Sequence, residues 1–144
     1  MPTRIDNAAN LALNEILARE SVSRLGLVTP YLDQIQAKIM ENYAGLGVRC
    51  VAERHLNDSG NFSFSEIGSD TIAEMVRDVA KAGPQAIAIV CTNLSAAPLV
   101  EALERETGIL ILDSIAVAVW KSLSLAGACP HRVQGWGRLF QIPD

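Results

Sequence analysis

The chain has 144 residues, 49% of them hydrophobic and only 5% aromatic, with a formal net charge of −4. That length suits one domain with a sizeable aliphatic core. An acidic balance without any Lys/Arg cluster excludes a nucleic-acid footprint. The longest apolar runs, 86–91 and 115–120, are too short to span a bilayer. The first six residues, Met-Pro-Thr-Arg-Ile-Asp, lack a signal-peptide core. The sequence therefore predicts a cytoplasmic protein with neither nucleic acid nor membrane as partner. Three cysteines, Cys50, Cys91 and Cys129, show no Cys-x-x-Cys spacing, which fits a reducing compartment. His55 and His131 have no second ligand at i+3 or i+4, so no metal is expected. No phosphate-binding loop, nucleophile elbow or dinucleotide fingerprint is present.

In chain order, Thr3 and Asp6 suggest a capping box, and Ile5, Ala9, Leu13, Ile16 and Leu17 recur at helical spacing to about Arg19. Arg24 to Val28 reads as the first strand. Thr29 is placed to cap, and Pro30 to open, a second helix with Asp33 in its first turn. Its inner face is read as Leu32, Ile35, Ile39 and Tyr43, and Gly45 or Gly47 stops it. Val48 to Ala52 is a second, less central strand. The polar stretch Arg54 to Gly68 reads as the longest loop, a lid or binding loop. Ser69 is expected to cap a third helix, with Ile72, Met75, Val76, Val79 and Ala80 on one side. Gly83-Pro84 ends it. The strand leading to Cys91 follows, then a helix to Gly108, a fourth strand Ile109–Leu112, a cap at Asp113-Ser114 and a fifth helix Ile115–Leu123. The segment after Pro130 fits no single element.

Strand and helix alternate throughout. The economical fold is α/β, one open and mainly parallel four-stranded sheet with helices on both faces. Ligands in such sheets bind outside the carboxyl ends of strands. Three of those ends, Thr29-Pro30-Tyr31, Cys91-Thr92-Asn93 and Asp113-Ser114, each set a hydroxyl or thiol beside an expected helix start.

Cys91 is the sharpest of these. The run Ala86-Ile-Ala-Ile-Val-Cys91 reads as a strand buried on both faces. Ser95, Ala96, Ala97 and Pro98 then read as a helix cap and first turn. Two readings stand side by side. A cysteine at a strand end is commonly a small packed hydrophobe. A thiol facing the amides of Thr92, Asn93 and the next turn is also placed to act as a thiolate beside a bound anion. Tyr31 has the same two readings, a core ring or a polar handle at a site. Asp113-Ser114 reads foremost as a cap, and Trp120 and Trp136 as packing residues.

Taken together, Val28-Thr29-Pro30-Tyr31, Cys91-Thr92-Asn93-Leu94, Leu112-Asp113-Ser114 with Ala118-Val119-Trp120, and Gly135-Trp136-Gly137-Arg138-Leu139 resemble the aspartate/glutamate racemase superfamily. The resemblance is to its maleate cis–trans isomerase and arylmalonate decarboxylase branch, and runs from Arg24 onward. It implies cofactor-free chemistry on a small carboxylate, in a fold of two α/β halves related by a pseudo-twofold with the active site between them. This chain, residues 1–144, resembles the second half alone, with residues 1–22 a leading helix and remnant of the connection. The resemblance implies Cys91 as the second-half thiol and Tyr31 as a carboxylate ligand. Thr92, Asn93, Asn61, Thr29 and Ser114 are implied as further substrate-binding residues. A first half with its own catalytic groups is missing. Either the chain is a fragment, or two copies pair and bring their Cys91 thiols together.

Chemistry next to a carboxylate needs a proton-exchanging group near neutral pH and donors for the developing charge. A thiol of pKa about 8.5, lowered by its surroundings, meets the first need. Each preorganised N–H donor in an oxyanion hole contributes on the order of 3 kcal/mol. The expected function is therefore an isomerase or racemase acting on a small dicarboxylic acid such as maleate through Cys91. An arylmalonate-type decarboxylase, or a non-catalytic anion-binding or assembly module, is the alternative.

Overall fold

Four strands, β1 (Arg24–Thr29), β2 (Arg49–His55), β3 (Ala86–Ile89) and β4 (Leu110–Asp113), form one sheet in the order β2-β1-β3-β4. Every pairing is parallel. The architecture comes from a computed structural model that describes residues 4–60 and 63–143. Five helices complete it: α1 (Arg4–Arg19), α2 (Asp33–Gly45), α3 (Ser69–Ala80), α4 (Val100–Thr107) and α5 (Ser114–Leu125). This is the α/β class that the alternation predicted.

Both faces of the sheet are covered. Strand residues alternate between them, so Leu25 and Leu27 join one apolar cluster while Val28 joins the other. The first cluster takes Leu13, Ile16 and Leu17 of α1, Tyr43 of α2, and Val117 and Trp120 of α5. The second takes Ile72, Met75, Val76 and Val79 of α3 with Val100 and Leu103 of α4. Fully burying an aliphatic side chain of this size stabilises by about 1.5–3 kcal/mol. Gly26 lets α3 lie directly on β1, since a Cβ there would sit 2.3 Å from Val79 Cγ1.

Several helix starts differ from expectation. α2 begins at Asp33, flanked by Leu32 with no side-chain cap, and Thr29 remains in the strand. Thr29 does not cap because it ends β1, three residues before Leu32; its hydroxyl donates to Gln36 Oε1 at 2.5 Å and accepts from the Tyr31 N–H. The inner face of α2 is set by buried Gln36 and Tyr43, and Ile35 is 46% exposed. Ser69 lies inside α3, and Gly68 flanks it without a side-chain cap bond. Ser95 caps nothing: a single 3-10 turn at Ala97–Leu99 precedes α4, and neither has a side-chain cap bond. Cys91 is thus separated from α4 by a loop and that turn.

Other features fit the reading. α3 buries Ile72, Met75, Val76 and Val79 as its spacing predicts, and Gly108 ends α4 in the left-handed conformation at φ 71°. β2 is an edge strand, but it continues past Ala52 to His55, so the loop after it is shorter than expected. The segment beyond Pro130 forms two 3-10 turns, Pro130–Arg132 and Arg138–Gln141, which bring Leu139, Phe140 and Ile142 into the core. Thr3 of the expected capping box lies outside the described residues.

Candidate active site

The strand order creates one topological switch point. The chain moves from β1 outward to β2, then crosses back to β3 on the other side. In open α/β sheets that is where a crevice forms beyond the strands' carboxyl ends. Tyr31 follows β1 by two residues and Cys91 follows β3 by two. The structure thus places the two sharpest sequence candidates on either side of the switch point, and Asp113-Ser114 at the end of the next strand.

The Cys91 turn is built by a side chain from the neighbouring strand end. Ser114 Oγ donates to Ile89 O at 3.1 Å and accepts from the Cys91 N–H at 3.2 Å. A second bond, Leu94 N–H to Cys91 O at 3.4 Å, closes the turn. The amides of Cys91 and Leu94 are therefore spent on the turn itself. Cys91 is 4% exposed and belongs to the apolar cluster that includes Val28, Phe64, Ile89 and Leu94. The thiol is at the expected edge of the sheet, but covered rather than open. Thr92 is half-buried and Asn93 exposed beside it.

Asp113 caps α5, its Oδ2 accepting from the Ala116 N–H at 2.9 Å. Its Oδ1 is buried with no hydrogen-bond partner. Burial, only partly offset by the amides of Ala116 and Ile115, pushes this carboxyl up to about 6. The cap was legible in the sequence; the vacant oxygen was not. The separate task of Ser114, joining two strand ends, was not legible either.

Tyr31 is half-buried, its ring edge-to-face with Phe64 at 5.9 Å between centroids. Its backbone is held from two sides. The Tyr31 N–H donates to Thr29 Oγ1 at 3.2 Å. Asn57 N–H donates to Tyr31 O at 3.1 Å, and Asp58 N–H to Pro30 O at 3.0 Å. Behind Thr29 lies a polar cluster that sequence reasoning missed. Gln36 Nε2 donates to Glu53 Oε2 at 3.0 Å, and the His55 ring lies between Glu53 and Asp33, 2.7 Å from one and 2.5 Å from the other. These two carboxylates, Asp33 foremost, raise the His55 pKa against partial burial. The signal in the sequence was Glu53 and His55 two apart, on one face of a strand that runs further than its apolar residues.

The remaining candidates separate from this edge. Asn61 lies outside the described residues. Cys50 is half-buried, and burial followed by the Glu53 charge pushes its thiol up to about 11, far from a thiolate at neutral pH. Cys129 is exposed. No cluster of three potential metal ligands occurs among the described residues. No described helix is long and apolar enough to cross a membrane. A cavity of about 340 Å³ lies between α4 and the C-terminal segment, lined by Glu101, Glu104, Arg105, Gln134 and Arg138 among others. Glu104 there accepts from Ile111 N–H at 3.1 Å and Arg138 N–H at 2.9 Å.

The family model for arylmalonate decarboxylase matches residues 6–140. A maleate isomerase from Nocardia farcinica is 30% identical over 134 residues, 90% of this chain and 52% of that protein. An arylmalonate decarboxylase from Bordetella bronchiseptica is 24% identical over 121 residues, 83% of this chain and 50% of that protein. In structure, the Nocardia farcinica maleate cis–trans isomerase, as a mutant with a covalently bound succinylcysteine intermediate, superimposes with a TM-score of 0.87 at 26% identity. That match covers 94% of this chain and 56% of the isomerase. The chain spans about half the length of the curated relatives it matches. With a family model covering nearly all of it and both isomerase and decarboxylase relatives, the chain belongs to the arylmalonate decarboxylase family, in the maleate isomerase and decarboxylase branch of the aspartate/glutamate racemase superfamily.

Proposed function

We propose that this chain supplies one half of a cofactor-independent isomerase or racemase site for a small dicarboxylic acid such as maleate, with Cys91 as the reacting thiol. The observation that carries the reading is the pair Tyr31 and Cys91 across the switch point of the sheet. Tyr31 offers a phenol to a carboxylate, and Cys91 a thiol to the adjacent carbon. A cysteine–succinyl bond in the isomerase neighbour supports sulfur addition to a four-carbon diacid in that protein. For maleate, attack of the Cys91 thiolate on one alkene carbon forms a C–S bond and moves the π electrons onto the neighbouring carboxylate as an enediolate. Rotation about the former double bond, then loss of the thiolate, gives the trans diacid. Thr92, Asn93 and Asn61 complete the proposed substrate-binding set, while Thr29 and Ser114, with buried hydroxyls bonded to Gln36, Tyr31, Ile89 and Cys91, hold the turns that present it. A missing half, or a second copy of this chain, closes the site from the other side. The proposed setting is cytoplasmic.

The test is to incubate the chain with maleate, follow fumarate by proton NMR and map adducts by peptide mass spectrometry. Fumarate and an adduct confined to Cys91, both lost in Cys91→Ser and kept in Cys50→Ser and Cys129→Ser, are the expected result. Turnover that survives Cys91→Ser overturns the assignment.

One observation favours a second reading, a binding or assembly module. Cys91 is nearly sealed among apolar side chains, which suits a thiol that packs the turn rather than one that reacts. Maleate binding by a homogeneous sample, without adduct or turnover even as an oligomer, selects it.

A further inference from the structure

His55 bridges two carboxylates with its two ring nitrogens, Nδ1 to Glu53 Oε2 and Nε2 to Asp33 Oδ1. A carboxylate can only accept, so holding both bridges at once requires a proton on each nitrogen, the imidazolium form that the raised pKa favours. Glu53 Oε2 also accepts from Gln36 Nε2, whose Oε1 accepts from the Thr29 hydroxyl, whose oxygen accepts from the Tyr31 N–H. Gln36 and Thr29 are buried, at 2% and 0% exposure, so neither can exchange these bonds for water at no cost. The residues just after His55 also hold the same turn, through Asn57 N–H on Tyr31 O and Asp58 N–H on Pro30 O.

We propose that His55 is a positioning residue: its protonated ring fixes, through Glu53, Gln36 and Thr29, the turn that carries Tyr31. Loss of the proton leaves a ring nitrogen's lone pair against a carboxylate. One of the two bridges must then break. If Glu53 swings away, Gln36 Nε2 loses its acceptor and the chain of bonds to Thr29 slackens. The charged groups facing His55 are Asp33 from α2 and Glu53 from its own strand. Arg54 pairs with Asp78 of α3 and Asp58 holds Gly60 N–H and Ser63 Oγ, so neither of these charges is directed at the ring. The direction follows: the turn is tightest below the ordinary histidine value near 6.5 and loosens as pH rises through the elevated value of His55. The consequence for ligand rests on the proposed role of Tyr31 as a carboxylate-binding residue, and is weaker maleate binding at higher pH.

The test uses the whole chain and two readouts. NMR follows the His55 ring and the Tyr31 amide over pH without ligand. Both should titrate with one midpoint above the ordinary histidine value, with both ring nitrogens protonated on the acid side. His55→Gln should erase the Tyr31 step, and Glu53→Gln serves the same purpose while keeping the shape of the cluster. Calorimetry with maleate then expects affinity to fall several-fold across that midpoint in the wild type and to stay flat in His55→Gln. A Tyr31 amide that stays fixed while His55 titrates, or keeps its step in His55→Gln, overturns the proposal. Coincident titrations with no maleate binding at any pH support the positioning and remove the carboxylate role of Tyr31 instead.

Discussion

Glu104 and Asp113 are both buried carboxylates bound to backbone amides, one near each end of β4, and they are not equivalent. Glu104 uses both oxygens, one for Ile111 of the strand and one for Arg138 of the C-terminal segment. Asp113 uses one oxygen for Ala116 and leaves the other without a partner. Burial raises the pKa of both. The first is a staple that fastens the C-terminal segment to the sheet. The second carries an unmet desolvation penalty at the edge where Cys91 turns. Uncompensated polar groups of this kind concentrate where structure is spent on function rather than stability.

The same chemical change, acid to amide, therefore has opposite expected signs at the two positions. Glu104→Gln turns one accepting oxygen into a donor that faces a backbone N–H. One hydrogen bond is lost and a buried donor is left facing another donor, a loss of about 2–4 kcal/mol. Denaturant midpoints should fall, and amide exchange should rise first at residues 138–142. An unchanged midpoint would mean that water from the adjoining cavity replaces the lost bond, and Glu104 is then no staple.

Asp113→Asn should stabilise. The folded carboxyl sits at about 6 against 3.8 for the ordinary group, so this aspartate reverses the usual sign for its type. Its contribution is complete below about 3.8 and is lost as pH rises through about 6. Each pKa unit is worth about 1.4 kcal/mol, and Asn is as good a cap as Asp. A less favourable interaction with the helix dipole, and an Asn Nδ2 left without an acceptor where Oδ1 stood, offset part of the gain. The net expectation is about 2 kcal/mol of added stability at pH 7 that vanishes near pH 4. A gain that persists at pH 4 would trace to packing, not to ionisation.

The order of elements, the sheet class and the ends of β1 and β4 were legible because apolar runs and turn residues are local signals, whereas β2 runs three residues past Ala52 and β3 stops two short of Cys91. Helix starts were legible only to within a few residues. Thr29 and Ser95 have the right side chains for caps, yet Thr29 ends β1 ahead of Leu32 and Asp33, and Ser95 precedes a 3-10 turn. The inner face of α2 misled for a related reason. Periodicity selects apolar residues, and here a buried glutamine takes the inward position while Ile35 faces out. Of the site, Tyr31, Cys91 and Ser114 were visible as types at strand ends. The cluster of Asp33, Gln36, Glu53 and His55 was not, because it assembles from α2 and β2, whose side chains meet only in the fold. The burial of Cys91 was one of two readings open in the sequence, and the choice between them was hidden because it depends on Phe64 and Leu94 closing over a strand end.

Ser114→Ala is expected to have the smallest effect on stability and the most direct bearing on the site edge. It removes the acceptor of the Cys91 N–H and the donor to Ile89 O at once. Both orphaned groups are buried at the end of β3 and the start of the turn that follows it, so about 1–2 kcal/mol is expected. The effect should fall on local opening of the turn rather than on the whole fold. Cys91 is reached by an alkylating reagent through that opening, so each kcal/mol raises its rate about fivefold while exposed Cys129 reacts as before. A Cys91 rate that does not move would show the turn held by the packing of Phe64 and Leu94 alone. The contrast between the stapled end of β4 and its loosely tied end would then rest on Asp113 only.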